Sequence, residues 1–81
     1  MANLPSLPAL RAFEAAARLG SFRAAAEAIN VSPTAVSHHI RGLEAYLNIQ
    51  LFTRNGRQVH LTDEGARLAD GASKAFRILE A

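Results

Sequence analysis

The chain has no cysteine and no tryptophan, and its 81 residues hold only one tyrosine, one methionine and three prolines. Without thiols there is no disulfide framework, no thiol nucleophile and no zinc finger. No apolar run nears the roughly 18 residues of a membrane helix, and the N-terminus lacks a signal-peptide pattern. A cytoplasmic setting is expected. Aromatic residues make up only 6%. Ala is abundant instead, which favours helices in close contact. With 49% hydrophobic and 20% charged residues the chain reads as globular rather than disordered. Its length suits one domain, which on size scaling buries about 60% of its unfolded surface.

Lysine is nearly absent too: every basic residue except Lys74 is arginine. The formal net charge is +2 and the sequence pI about 9.9. Residues 32–62 set Arg41, Arg54 and Arg57 against Glu44 alone, and contain all three histidines. This electropositive middle third suits a polyanionic partner.

Helix signals punctuate the chain. Pro8 fits a first turn, and Leu10, Phe13 and Ala17 share a face, so a helix is expected over about 7–19 with Gly20 as its stop. Ser21 caps a short second helix, about 22–29, with Phe22, Ala25, Ala26 and Ile29 turned inward. Asn30 tolerates the left-handed turn that ends it, and Val31 is expected to plug the corner. Ser32 and Pro33 cap and open a third helix reaching about Leu47, with Val36, Ile40, Leu43 and Leu47 inward and Asn48 as its left-handed end.

From Leu51 the period changes. Asn55-Gly56 between LFTR and RQVHL is the strongest short hairpin signal. If those two residues form the turn, Arg54 faces Arg57 and Phe52 pairs with Val59. Thr62 then caps a fourth helix with Asp63 and Glu64 in its first turn. Its stripe of Leu68, Ala72, Ala75 and Leu79 runs to the last residue with no stop signal, which reads as a chain cut inside or just after a helix.

Three helices and a two-stranded wing (51–61) make a mainly α, winged helix-turn-helix over residues 1–62, followed by a linker helix over 63–81. In such units the second helix of the tight pair, here about 33–47, enters the DNA major groove and leads with its N-terminal residues. Its outer face should carry Pro33, Thr34, Ser37, His38 and Arg41. Thr and Ser hydroxyls suit several base edges, Thr also suits a thymine methyl, and Arg41 suits a guanine or a phosphate. Arg54 and Arg57 would repel each other across a hairpin, a cost that a phosphate relieves. The bland alternative pairs Arg54 with a carboxylate such as Glu44. The helix starts at Ser21-Phe22-Arg23 and at Thr62 offer further phosphate contacts, although Asp63 and Glu64 favour a plain capping role for Thr62.

Other chemistry is not supported. Adjacent His38 and His39 point about 100° apart on a helix, and no cysteine or carboxylate cluster joins them, so neither a metal nor another cofactor is expected. His38 should be exposed and His39 packed at the helix edge. Ser37 beside His38 lacks an orienting acid and a pocket, so no enzyme is expected. The stripe on the fourth helix either covers the core or seals against a second copy; Leu68, Ala72, Ala75, Phe76 and Leu79 would form that homodimer seam. The distal half should project past so small a domain. Gly65 and Gly71 weaken the helix alone. A protein-interaction module without DNA affinity is the alternative function, and an acidic outer face would have favoured it.

The runs FxxxARxGSFxxAAxxxxVSxxAVSxxIxxLE and LFxRxxRxVxLTxxG are the most specific pieces. Through them nearly the whole chain, from about Leu4 to Ala81, resembles the N-terminal DNA-binding domain of LysR-type transcriptional regulators. The opening LPxLxALRAFEAAAR and the SHHI segment resemble the subgroup of glycine-cleavage and β-lactamase regulators. The resemblance implies a dimerising linker helix, a separate C-terminal effector-sensing domain, and dyad-symmetric duplex DNA sites, often bound as tetramers. It places base contacts at Pro33, Thr34, Ser37 and His38, and phosphate contacts at Ser21, Arg23, Arg54 and Thr62, with Ser32 and Arg57 beside them. The chain departs from the family in four places. Many members have Gln-Pro at Pro33-Thr34 and Arg at His38, so a glutamine able to read adenine is absent. Asn48 replaces the usual Gly, and Arg23 replaces a commoner Thr, a change expected to strengthen phosphate binding.

Overall fold

Each helix start carries its own hydroxyl cap. In a computed structural model that describes residues 5–55 and 58–80, Ser6, Ser21, Ser32 and Thr62 each precede a helix. Their oxygens accept from the amides of Ala9, Ala24, Ala35 and Gly65, three residues on. These bonds satisfy amides that no helix can pair internally. The helices are α1 (Leu7–Leu19), α2 (Phe22–Ile29), α3 (Pro33–Leu47) and α4 (Asp63–Glu80), with β1 (Phe52–Asn55) and β2 (Gln58–Leu61) between the last two. Asn30 and Asn48 end α2 and α3 at φ 61° and 55°. The three expected caps, Ser21, Ser32 and Thr62, and the three expected stops, Gly20, Asn30 and Asn48, are in place.

Val31 departs from expectation. Its side chain is exposed, and its amide closes the corner instead, donating to the Ala26 carbonyl at 3.0 Å. A backbone bond of this kind satisfies an orphan carbonyl at the helix end without needing the side chain.

The hairpin register also differs. Phe52 pairs with Leu61, Thr53 with His60, Arg54 with Val59 and Asn55 with Gln58. Asn55 therefore belongs to β1, paired with Gln58, rather than to the turn expected at Asn55-Gly56. Arg54 faces Val59, so the expected Arg54–Arg57 pair is not formed, and Phe52 does not pair with Val59. The reason lies in the core. Phe52 is buried, and Leu61 and Val59 both pack against the same cluster. The observed register sets all three on one face, whereas the expected one leaves Leu61 beyond the ladder. Gly56 and Arg57 themselves lie outside the described residues.

Helix α1 packs against the other three helices. Phe13 at its centre is fully buried among Ala9, Ala12, Ala16, Ala25, Val36, Ile40 and Leu43. Small residues on α1 and α2 let the backbones approach, which offsets the shortage of large apolar side chains. An aromatic chain runs outward from this centre: Phe13 meets Phe52 edge-on at 5.6 Å, and Phe52 meets Phe22 edge-on at 5.3 Å.

The first half of α4 closes the core. Leu68 and Ala69 pack against it and Ala72 is buried, so Leu68 and Ala72, expected on a dimer seam, are covered within the protomer. The distal half does not simply project, because Phe76 is half-buried beside Arg11 and Ile29. Ala75, Ile78 and Leu79 are the exposed apolar residues of that half, with Ile78 at 75% and Leu79 at 69%.

Candidate nucleic-acid interface

The abrupt start at Ser32-Pro33 sets α3 on the surface from its first turn. Pro33, Thr34 and His38 are exposed, with Ser32 beside them. His39 is half-buried at the helix edge, as expected, and its ring meets that of His38 at 6.2 Å. No acidic residue stands between Ser32 and Arg41, so the leading two turns present hydroxyls, an imidazole and a guanidinium.

One turn on, α3 meets the wing. Arg41 Nη1 donates to Ser37 Oγ at 3.0 Å, and Arg54 Nη2 reaches the same oxygen at 3.5 Å. The Arg54 guanidinium lies 5.1 Å from the Phe22 ring centroid, a cation–π distance. Arg54 is thus not paired with Glu44. The Glu44 carboxylate instead accepts the amides of Leu51 and Phe52 at 2.8 and 3.2 Å. It holds the start of the wing onto α3 by two charge-assisted bonds.

Arg54 divides two hollows. One is lined by Ser21, Phe22, Arg23, Arg54 and Gln58, which gathers three of the expected phosphate-facing residues at the start of α2. Ser21 Oγ accepts from Ala24, which leaves its proton free to donate outward. The other hollow is lined by Phe22, Arg41, Glu44, Gln50 and Arg54, among others.

Thr62 does not join this surface through its hydroxyl. That hydroxyl donates to the carbonyls of Gln50 at 2.7 Å and Leu51 at 3.3 Å and accepts from Gly65. Its one proton is engaged within the chain, which makes the hydroxyl a structural knot in the free protein. Arg57 falls outside the described residues. Two features escaped sequence reasoning: the Phe22 shelf under Arg54 and the Glu44 anchor. Phe22 and Arg54 lie far apart in sequence, and only the fold brings them together. The lone acid following a basic face was the one available signal for Glu44.

The arrangement has known relatives. The profile described as "Bacterial regulatory helix-turn-helix protein, lysR family" matches residues 7–66. The HTH-type transcriptional regulator y4mQ of Sinorhizobium fredii is 57% identical over 79 residues, covering 98% of this chain and 26% of that protein. The glycine cleavage system transcriptional activator of Escherichia coli strain K12 is 53% identical over 63 residues, covering 78% and 21%. The crystal structure of the BenM DNA-binding domain with benA site 1 DNA superposes with a TM-score of 0.85 at 33% identity, covering 93% of this chain and 84% of that one. The chain spans about a quarter of the length of the curated relatives it matches. A profile match over most of its residues establishes that the chain belongs to the lysR family of bacterial regulatory helix-turn-helix proteins.

Proposed function

We propose that this segment binds duplex DNA, with the leading end of α3 in the major groove and the wing against the phosphate backbone, as the DNA-reading part of a longer cytoplasmic transcription regulator. The observation that carries the reading is the acid-free face of exposed Pro33, Thr34, His38 and Arg41 with half-buried Ser37 among them, bordered by Arg54 and Arg23. Sequence readout needs donors and acceptors on such a face, and affinity needs cations beside it. The segment acts by binding, with no catalytic step. Ser21, Arg23, Ser32, Arg54 and Arg57 take the phosphate-facing role. The bare Ile78 and Leu79, with Ala75, seat a second copy and so match a dyad-symmetric site. Sensing of an effector falls to a separate domain of the regulator.

Salt titration of the 81-residue chain against a labelled duplex tests this. The logarithm of affinity should fall linearly with the logarithm of salt, by about 0.9 for each phosphate neutralised, with two chains on each dyad-symmetric duplex. Affinity indifferent to salt, or no association in dilute buffer, would remove DNA binding from the account.

A further inference from the structure

Two guanidinium groups from separate elements converge on one neutral oxygen. Arg41 comes from α3 and Arg54 from the wing, and both reach Ser37 Oγ. Like charges brought together in this way repel, and a neutral hydroxyl offsets little of that. The carboxylate of Glu44, which lines the same hollow, gives one oxygen, Oε2, to two backbone amides and forms no ion pair with either guanidinium. What the two guanidiniums lack is an anion in direct contact with both.

We propose that Arg41 and Arg54 grip one and the same DNA phosphate above Ser37, and that Phe22 is the positioning residue that holds Arg54 there. The proposal rests on the duplex-binding reading and moves Arg41 from base readout to the backbone. The choice of ligand follows from shape. A guanine edge offers two acceptors in one plane and takes a single guanidinium fork. A tetrahedral phosphate has oxygens free for two forks arriving from different directions. Arg41 also stands eight residues beyond Pro33, about 12 Å along the helix at 1.5 Å per residue, away from the leading end that faces the bases.

Phe22 gives Arg54 its place. The guanidinium lies over the ring, the ring meets Phe52 edge-on, and Phe52 meets the buried Phe13. The shelf is therefore fixed to the core. An exposed arginine would otherwise sample many rotamers, and restricting them in advance lowers the entropy lost on binding. Ser37 serves both arginines as a spacer: its oxygen accepts from them, and its own proton is left to point at the phosphate.

The test combines arginine variants with duplexes in which one phosphate at a time is replaced by a neutral methylphosphonate. Arg41→Ala and Arg54→Ala should each weaken binding about tenfold, the scale of a lost charge-assisted bond. Replacing one particular phosphate should cancel most of the effect of both. The double variant should be little weaker than either single one. Phe22→Leu should weaken binding severalfold and be cancelled at that same phosphate, with Phe22→Tyr restoring affinity and melting curves monitoring the fold. Cancellation at two different phosphates, dependence of the Arg41 effect on a base pair, or a Phe22→Leu loss spread over all phosphates would overturn the clamp. Should the chain bind no duplex, the DNA reading fails and the clamp is judged alone, by titrating inorganic sulfate and following the side-chain Nε–H signals of Arg41 and Arg54. Both signals moving together on one binding curve would support it, and stationary signals would sink it.

Discussion

Replacing Gly65 by alanine lowers stability by about 3 kcal/mol, against the helix propensity that ordinarily favours alanine by about 1 kcal/mol. A Cβ built on Gly65 collides with the Leu51 carbonyl oxygen and falls 3.0 Å from its carbon. That carbonyl cannot retreat cheaply, because it accepts from the Thr62 amide at 3.0 Å and from the Thr62 hydroxyl at 3.3 Å. The missing side chain is what lets the first turn of α4 lie against the connection between α3 and β1. For a domain of this size the loss amounts to roughly 12–24 °C in melting temperature. Gly71, in the same helix, has nothing within 4 Å of an added Cβ, so Gly71→Ala should follow propensity alone and raise stability by about 1 kcal/mol. Melting curves of the two variants read this directly, and a Gly65→Ala protein as stable as the parent would show that the contact yields.

Glu44→Ala should cost about 2 kcal/mol. The carboxylate receives both the Leu51 and the Phe52 amides, and its removal leaves those donors without a partner at the edge of the core. Because Glu44 lies on α3 and its amides begin the wing, the same change loosens the two parts of the DNA surface from one another. Duplex affinity should therefore fall even at temperatures where the variant stays folded. Glu44→Gln keeps one acceptor oxygen and should recover part of the stability in chemical denaturation. Equal denaturation midpoints for Glu44→Ala and the parent would contradict the anchoring role.

Both residues show what a linear reading finds and what it misses. Ser21, Asn30, Ser32-Pro33 and Asn48 act on amides and carbonyls within three or four residues, so their meaning is local, and the helix bounds they imply agree with the structure. The helix-turn-helix surface was legible for the same reason, since the exposed face follows from the start and period of α3. The hairpin register was not. Asn55-Gly56 is a strong local signal, but the burial of Phe52 beside Leu61 and Val59 decides the pairing. Gly65 was legible only as a weak point in a helix, whereas its purpose depends on a carbonyl that the fold brings against it. Leu68 and Ala72 share a stripe with Leu79, and spacing alone cannot divide the part that covers the core from the part left bare. On α3 and the wing, the sequence named single residues but not their contacts with one another. Phe22 under Arg54, and Arg41 with Arg54 on Ser37, are contacts between distant segments.

The proposed function assigns sequence readout to the exposed first turns of α3. Selection of binding sites from random duplexes, run in parallel with the parent chain and with Thr34→Ala, tests it most directly. The parent should enrich a two-fold symmetric sequence, and Thr34→Ala should relax the preference at one base pair in each half by about 1–3 kcal/mol while leaving the others unchanged. Identical preferences in both selections, or the same loss at every position, would place the readout elsewhere than on α3.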